Sequence, residues 1–114
     1  MDISSLQETL LAQLDGNIAW VKDIAGLFLE TMPQMLADLK AAVEGQDAPA
    51  LQQAAHRIKG TLGTFQALEA AQIASVLETM AEAGDLAGAE AHCAQLEAAV
   101  EHLLAVTRQL VSSI

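Results

Sequence analysis

One histidine of this 114-residue chain stands in a pattern that could do chemistry. It is His56, in the segment 48–63, APALQQAAHRIKGTLG. Apolar residues recur in this segment at helical spacing and form one stripe, made of Leu51, Ala55, Ile58 and Leu62. His56 lies about 130° from the centre of that stripe on a helical wheel, so its ring is predicted to face solvent. A neutral imidazole in water is a nucleophile near pH 7.

The residues after the histidine leave space beside it. Gly60 and Gly63 follow His56 by one and two helical turns, and each costs roughly 1 kcal/mol relative to alanine inside a helix. Because glycine has no side chain, the neighbouring surface stays open to a bulky group, and Lys59 adds an ammonium group next to this opening. An exposed imidazole, a cation and open space together predict a site for a phosphoryl group. The alternative is an ordinary surface histidine with a glycine that only ends the helix.

The segment 56–60, HRIKG, resembles the H-x-(L/I)-K-G core of histidine-containing phosphotransfer (HPt) domains, and the likeness continues through Gly63 to Leu77 and Glu78. HPt domains carry a phosphoryl group on one histidine and pass it to or from an aspartate of a response-regulator receiver domain. The resemblance implies a phosphorelay protein that is not itself an enzyme and has no nucleotide site. Its implied partners are a receiver domain and a hybrid sensor histidine kinase. The sequence agrees, because it contains no glycine-rich phosphate loop.

The resemblance also implies a role for each residue of the motif. His56 would accept the phosphoryl group, and Lys59 would offset the charge on the phosphoryl oxygens. Gly60 and Gly63 would give the partner's loops access to the ring. Glu78, on the next helix, would accept a hydrogen bond from one ring nitrogen and orient the imidazole. No cofactor or metal is expected on this chain, because the Mg²⁺ ion belongs to the receiver's own carboxylates.

Two positions depart from the family pattern. Many members have glycine where this chain has Gln66, so the turn that ends the histidine helix is expected to differ or to be stabilised by the amide side chain. Members often have glutamine where this chain has Glu78. The receiver must dock around the histidine, and Leu62 or Phe65 and part of the first helix are the candidate contacts.

The composition limits the other classes of function. The formal net charge is -10, with 15 Asp and Glu against 5 Lys and Arg, which opposes binding to nucleic acid phosphates. No apolar run reaches the ~20 residues that span a bilayer, and the first segment, MDISSLQETL, lacks the features of a signal peptide. A cytoplasmic protein without nucleic acid or membrane partners is therefore expected. The protein is also expected to be a monomer. Cys93 has no second cysteine to pair with and is predicted to be a small core residue.

The periodicity of the whole chain predicts an all-α fold. Hydrophobic residues make up 53% of the chain and aromatic residues 3%, as in a closely packed, alanine-rich helical bundle. Helices are predicted at about 4–14, 17–44, 48–63, 68–83 and 86–111. Pro33 lies inside the second of these and is expected to cause a kink or a local break there.

Local signals mark the ends of these helices. The predicted N-terminal caps are Ser4 or Ser5, Asp47 and Asp85, and Gly45 is predicted to end the second helix. The connections between helices are short. The length predicts one domain, 1–114. The short connections predict that it is an antiparallel up-and-down four-helix bundle with a short N-terminal capping helix.

The other two histidines are not predicted to be catalytic or metal-binding residues. His92 lies at the margin of the last helix's apolar stripe and is predicted to be a partly buried structural residue, whereas His102 is predicted to face solvent. Neighbouring helix residues diverge by about 100°, so Cys93 and His92 are not expected to form a catalytic pair.

Two alternative functions remain beside that of a phosphorelay protein. One is a helical adaptor with no chemistry at His56, and the other is the histidine domain of a chemotaxis-type kinase.

Overall fold

Helices account for most of the chain in the computed structural model, which describes residues 2–114. In chain order they are α1 (Ile3–Gln13), α2 (Ile18–Glu44), α3 (Ala48–Thr64), α4 (Leu68–Ala83) and α5 (Ala89–Ser113). No strand occurs within this described range. The predicted all-α fold is confirmed.

The four longer helices form a ring around one core. α3 packs against α2 and α4, and α5 closes the ring by packing against α4 and α2. Because only short turns join α2 to α3 and α3 to α4, these neighbours run antiparallel. α1 lies against α5 and α2 and buries Leu6 and Leu10 in the same core. The architecture is the predicted four-helix bundle with a short N-terminal helix packed on it.

The core is largely aliphatic, as the composition predicted. Its two aromatic rings, Phe28 of α2 and Phe65 just after α3, lie with their centroids 4.4 Å apart. Phe65 and Leu62 are both buried, so neither can be the receiver contact that the sequence suggested. They are large apolar side chains that anchor the end of α3. Cys93 is buried, as predicted.

Two helix starts differ from the prediction. The carboxylate of Asp2, rather than Ser4 or Ser5, caps α1 by accepting a hydrogen bond from the N–H of Ser5 at 2.8 Å. The last helix begins at Ala89 rather than at 86. Asp85 caps a turn before that helix instead, since its carboxylate accepts from the N–H of Ala87 at 3.1 Å.

α2 continues without interruption through Pro33, so the local break is excluded, and the kink stays a prediction. A proline removes only one hydrogen bond of the helix, and here Met32 and Leu36 on either side of it are buried in the core. Packing of these neighbours holds the helix together across the proline. The helix ends at Glu44 as predicted, but Gly45 is right-handed and the left-handed residue of the turn is Gln46.

Gln66 also adopts a left-handed backbone, with φ of 56°. Its N–H donates to the carbonyl of Gly63 and the next N–H, of Ala67, donates to that of Leu62, both at 3.0 Å. This is the Schellman arrangement, in which glycine is favoured at the left-handed position. The turn that ends α3 is therefore of the usual type, although Gln66 occupies the left-handed position where many family members have glycine. A non-glycine residue is strained there.

We expect Gln66→Gly to stabilise the protein. The left-handed conformation costs a non-glycine residue about 1–2 kcal/mol, and the extra chain entropy of glycine offsets part of that, which leaves a gain of about 0.5–1 kcal/mol. Urea unfolding measures the change. Gln53→Gly, an exposed position inside α3, is the matched control and should lose about 1 kcal/mol. A loss of stability in both variants would contradict the argument.

Candidate functional site

The rotation of α3 about its axis is set by its cap and its buried stripe. The carboxylate of Asp47 accepts a hydrogen bond from the N–H of Ala50 at 3.1 Å and begins the helix where the sequence predicts. The four stripe residues, Leu51, Ala55, Ile58 and Leu62, have no exposed surface. With this stripe against the core, His56 turns outward, and 69% of its side chain is exposed.

A carboxylate of α4 meets the imidazole. Glu78 Oε2 lies 2.6 Å from His56 Nδ1, and Glu78 Oε1 accepts a hydrogen bond from Lys59 Nζ at the same distance of 2.6 Å. The Glu78 side chain is only 11% exposed. One nearly buried carboxylate thus joins the histidine and the lysine, two residues that lie almost a turn apart on α3.

The hydrogen bond from Lys59 lowers the pKa of Glu78 below its ordinary value. Burial acts in the opposite direction, and the hydrogen bond with His56 adds to the lowering. Glu78 is therefore ionised near neutral pH and can only accept hydrogen bonds. It follows that His56 Nδ1 carries the proton in this contact, and that Nε2 of the neutral ring carries the free lone pair.

Lys59 is engaged with this carboxylate rather than pointing freely into solvent. Its ammonium group uses one hydrogen on Glu78 Oε1, and an ammonium group has three. The lysine therefore acts first on Glu78, whose ionised form it stabilises, and its remaining N–H groups stay available to another anion.

No neighbour inside the protein requires glycine at the two positions beside the histidine. A Cβ atom at Gly60 or at Gly63 would meet nothing within 4 Å, apart from the helix's own backbone. Both residues are exposed. Gly63 lies inside α3, and the turn after the helix uses Gln66, so Gly63 is not the helix C-cap. Packing within the described residues therefore gives no reason for glycine at either position.

The lowered pKa of Glu78 makes the stability of the fold depend on pH. Above the unfolded-state pKa the ionised carboxylate stabilises the folded state, and this contribution is lost as the pH falls through the lower folded-state pKa. We expect Glu78→Gln to be less stable than the wild type by about 1–2 kcal/mol near pH 6. The difference should shrink below about pH 4. Urea unfolding across this range measures it, and a difference that does not change with pH would contradict the assignment.

The remaining histidines take no part in the site. His92 is partly buried and His102 is exposed, both on α5. Within residues 2–114 no three His, Cys, Asp or Glu side chains cluster closely enough to hold a metal ion. None of the helices in that range is both long and apolar enough to cross a bilayer.

Some exposed apolar residues were missed at the sequence level. Trp20 and Leu27 of α2 are 54% and 57% exposed, and Leu68 of α4 is 67% exposed. Trp20 and Leu27 lie off the apolar stripe of α2. This position could have predicted their exposure from the sequence, because a large apolar residue outside a core stripe has no packing role within the chain.

A four-helix bundle in which a carboxylate orients an exposed imidazole is the arrangement expected of a helical protein that carries a group on histidine. The family model named Hpt domain matches residues 23–106, and the chain belongs to this family. The resemblance seen in the segment 56–60 is thereby confirmed. Hpt domains are histidine phosphotransfer intermediates of phosphorelays and interact with receiver domains and kinases. They are generally not classical enzymes.

One solved structure has a closely similar fold. It is the crystal structure of histidine-containing phosphotransfer protein B from Pseudomonas aeruginosa PAO1, with a TM-score of 0.86. The two sequences are 24% identical, and the match covers 94% of this chain and 93% of that one. No curated protein sequence matches this chain significantly.

Proposed function

We propose that this protein is a phosphorelay intermediate in which Nε2 of His56 accepts a phosphoryl group and transfers it to or from an aspartate of a receiver domain. The observation that carries the proposal is the hydrogen bond between Nδ1 of an exposed ring and the ionised carboxylate of Glu78. This contact holds the ring in one orientation and places the hydrogen of the neutral tautomer on Nδ1, which leaves the lone pair on Nε2 for the partner. It does not need a nucleotide or a metal on this chain. The Mg²⁺ ion is expected on the receiver.

The transfer step follows from the protonation state. The lone pair of Nε2 attacks the phosphorus atom of the receiver's aspartyl phosphate, the bond from phosphorus to the aspartate oxygen breaks, and the electron pair returns to the aspartate carboxylate. No proton has to leave, because Nδ1 keeps its hydrogen. The ring becomes a phosphoimidazolium with a positive charge, next to the negative charge of Glu78. Glu78 thus stabilises the charge that develops in the transition state.

Lys59 has two parts in this proposal. Its contact with Glu78 keeps the carboxylate ionised, and its other N–H groups offset the charge of the incoming phosphoryl oxygens. Both act through electrostatics over a short range, so the position of the ammonium group matters more than a directed bond. The reverse transfer, from His56 to a receiver aspartate, uses the same contacts in the opposite order.

We expect Gly60→Ala and Gly63→Ala each to stabilise the protein and to slow transfer. Alanine gains about 1 kcal/mol in a helix interior, and neither new methyl group meets an internal neighbour. The same methyl group would clash with a docked receiver, so we expect the rate of transfer to fall about tenfold. Gly26→Ala in α2, where a Cβ atom also meets nothing, is the control that should gain stability with transfer unchanged. Equal transfer rates in all three variants would oppose the steric role.

The direct test is to incubate the protein with receiver domains that carry a radioactive aspartyl phosphate. Label should move to this chain and be labile in acid and stable in alkali, as expected for a phosphorus–nitrogen bond. The adaptor hypothesis predicts receiver binding without label. A histidine domain of a chemotaxis-type kinase would take label from an ATP-bound catalytic region instead. We propose that the protein acts as a monomer, which binds one receiver at a time.

A further inference from the structure

Glu78 is an acid in contact with a ring whose charge changes during the proposed reaction. Its Oε2 lies 2.6 Å from His56 Nδ1, and its side chain is only 11% exposed. Lys59 donates to the other oxygen, Oε1, and this contact keeps the carboxylate ionised even beside a neutral ring. The carbonyl oxygen of an amide could also accept from Nδ1, so orientation of the ring alone does not require an acid. The negative charge therefore adds an effect that an amide would not supply.

The contact between Glu78 and His56 changes when the ring is phosphorylated. Before transfer, a neutral ring donates its Nδ1 hydrogen to the carboxylate. The phosphorus–nitrogen bond then forms at Nε2 while the bond from phosphorus to the receiver's aspartate oxygen breaks. The electron pair of the broken bond leaves with the aspartate, and the ring keeps its hydrogen and becomes a cation. A positive charge on the donor strengthens a hydrogen bond to an ionised acceptor, so the carboxylate binds the phosphorylated ring more strongly than the free ring.

The phosphoryl group is also negative and repels the carboxylate, but this repulsion is the smaller effect. The group is attached to Nε2 rather than to the nitrogen that contacts Glu78, and 69% of the His56 side chain is in solvent. Charges in water interact several times more weakly than charges at a nearly buried group. The ammonium group of Lys59 offsets part of the remaining repulsion. The attraction between the carboxylate and the cationic ring therefore prevails.

On the basis of the proposed function, we propose that Glu78 shifts the transfer equilibrium between a receiver's aspartyl phosphate and His56 toward phosphohistidine. An interaction that is stronger in the product than in the reactant moves an equilibrium by the difference between the two interaction energies. Relative to glutamine at the same position, we expect a shift of about tenfold, which corresponds to about 1.4 kcal/mol. Glu78 thus helps this protein to retain the phosphoryl group, in addition to orienting the ring.

This shift also gives the protein a place in a reaction sequence. A receiver's aspartyl phosphate supplies the phosphoryl group, and the carboxylate of Glu78 favours its capture on His56. Because the same contact disfavours release, unloading depends on a further reaction that removes the product of release. Hydrolysis of the aspartyl phosphate on the accepting receiver is the class of reaction that does so.

The test measures transfer in both directions for the wild type, Glu78→Gln and Glu82→Gln. Glu82 is the matched control, because it lies one turn further along α4 and its side-chain partner on α3 is Gln52, at 3.4 Å, rather than His56. Each protein is loaded with phosphoramidate and mixed with a receiver whose aspartyl phosphate hydrolyses slowly. The same equilibrium is then approached from the phosphorylated receiver, and the phosphate on each protein is followed with time.

Glu78→Gln should take up the phosphoryl group about threefold more slowly and release it about threefold faster than the wild type. Its equilibrium ratio of phosphohistidine to aspartyl phosphate therefore falls about tenfold. Glu82→Gln should keep the wild-type ratio within about twofold, because its charge is exposed and screened. A merely structural loss in Glu78→Gln would slow both directions and leave the ratio unchanged, which would overturn the proposal. An equal fall in the ratio for Glu82→Gln would also overturn it.

The wild type gives a second measurement that needs no variant. The contact between Glu78 and the ring exists only in the folded chain, so phosphorylation of His56 should raise the midpoint of unfolding in urea. An unchanged or lower midpoint would contradict the proposal. If neither phosphoramidate nor any phosphorylated receiver loads the wild type, the proposed function fails and this inference fails with it. If the wild type is loaded but Glu78→Gln keeps the wild-type ratio, only this inference fails.

Discussion

We expect His56→Gln to abolish transfer of label from a phosphorylated receiver to this protein and to leave the fold and receiver binding intact. Glutamine offers no nucleophilic nitrogen, because the lone pair of an amide nitrogen is delocalised into the carbonyl group. Its side chain N–H can still donate to the carboxylate of Glu78, so the buried acceptor keeps a partner. The position is largely exposed, with 69% of the His56 side chain in solvent. Stability should therefore change little. Label on the protein after transfer, followed by gel electrophoresis, measures the loss.

The two histidines of α5 are the matched controls for this result. His92→Gln and His102→Gln should take label at the wild-type rate, since both residues lie on α5 and the side-chain partners of Glu78 are His56 and Lys59 of α3. Label that persists in His56→Gln, or disappears in a control, would refute the assignment of the acceptor. If the wild type binds receivers and none of these proteins takes label from any donor, the adaptor hypothesis is favoured.

We expect Glu78→Leu to slow transfer by about 10–100-fold and Glu78→Gln to slow it much less. Leucine removes the acceptor that holds the proton on His56 Nδ1, so the ring rotates and the hydrogen redistributes between its two nitrogens. It also removes the negative charge beside the phosphoimidazolium ring. Glutamine can still accept a hydrogen bond from Nδ1 through its carbonyl oxygen, so the orientation is kept and only the charge is lost. Single-turnover transfer from a phosphorylated receiver measures both variants.

A spectroscopic measurement distinguishes positioning from a merely structural role. The ¹⁵N chemical shifts of the His56 ring should indicate hydrogen on Nδ1 in the wild type and in Glu78→Gln, and a mixture of tautomers in Glu78→Leu. Receiver affinity should be the same in all three proteins. Equal transfer rates in Glu78→Leu and the wild type, or a wild-type ring with hydrogen on Nε2, would contradict the role of Glu78. If Lys59→Met slows transfer by the same factor as Glu78→Leu, the result supports the inference that the lysine acts through this carboxylate.

Most of the helical fold could be predicted from residue spacing. The stripe of α3, the cap at Asp47 and the exposed direction of His56 follow from the sequence because they depend on local periodicity and on a side chain that bonds to its own first turn. The ends of helices were less predictable. Gly45 and Asp85 carry the expected signals, yet Gln46 takes the left-handed position and α5 starts at Ala89, because neighbouring packing decides between adjacent turns of nearly equal energy.

What the sequence by itself determined is thus a bundle of helices in which His56 faces solvent with a lysine and two glycines beside it. Only the tertiary structure decided that Glu78, 22 positions away from His56, joins the histidine and the lysine through one carboxylate. It also decided that Phe65, the residue just after α3, belongs to the core. The physical reason is the same in each case. Helical periodicity sets the direction of a side chain relative to its own helix, but the rotation and depth at which two helices pack set which side chains meet.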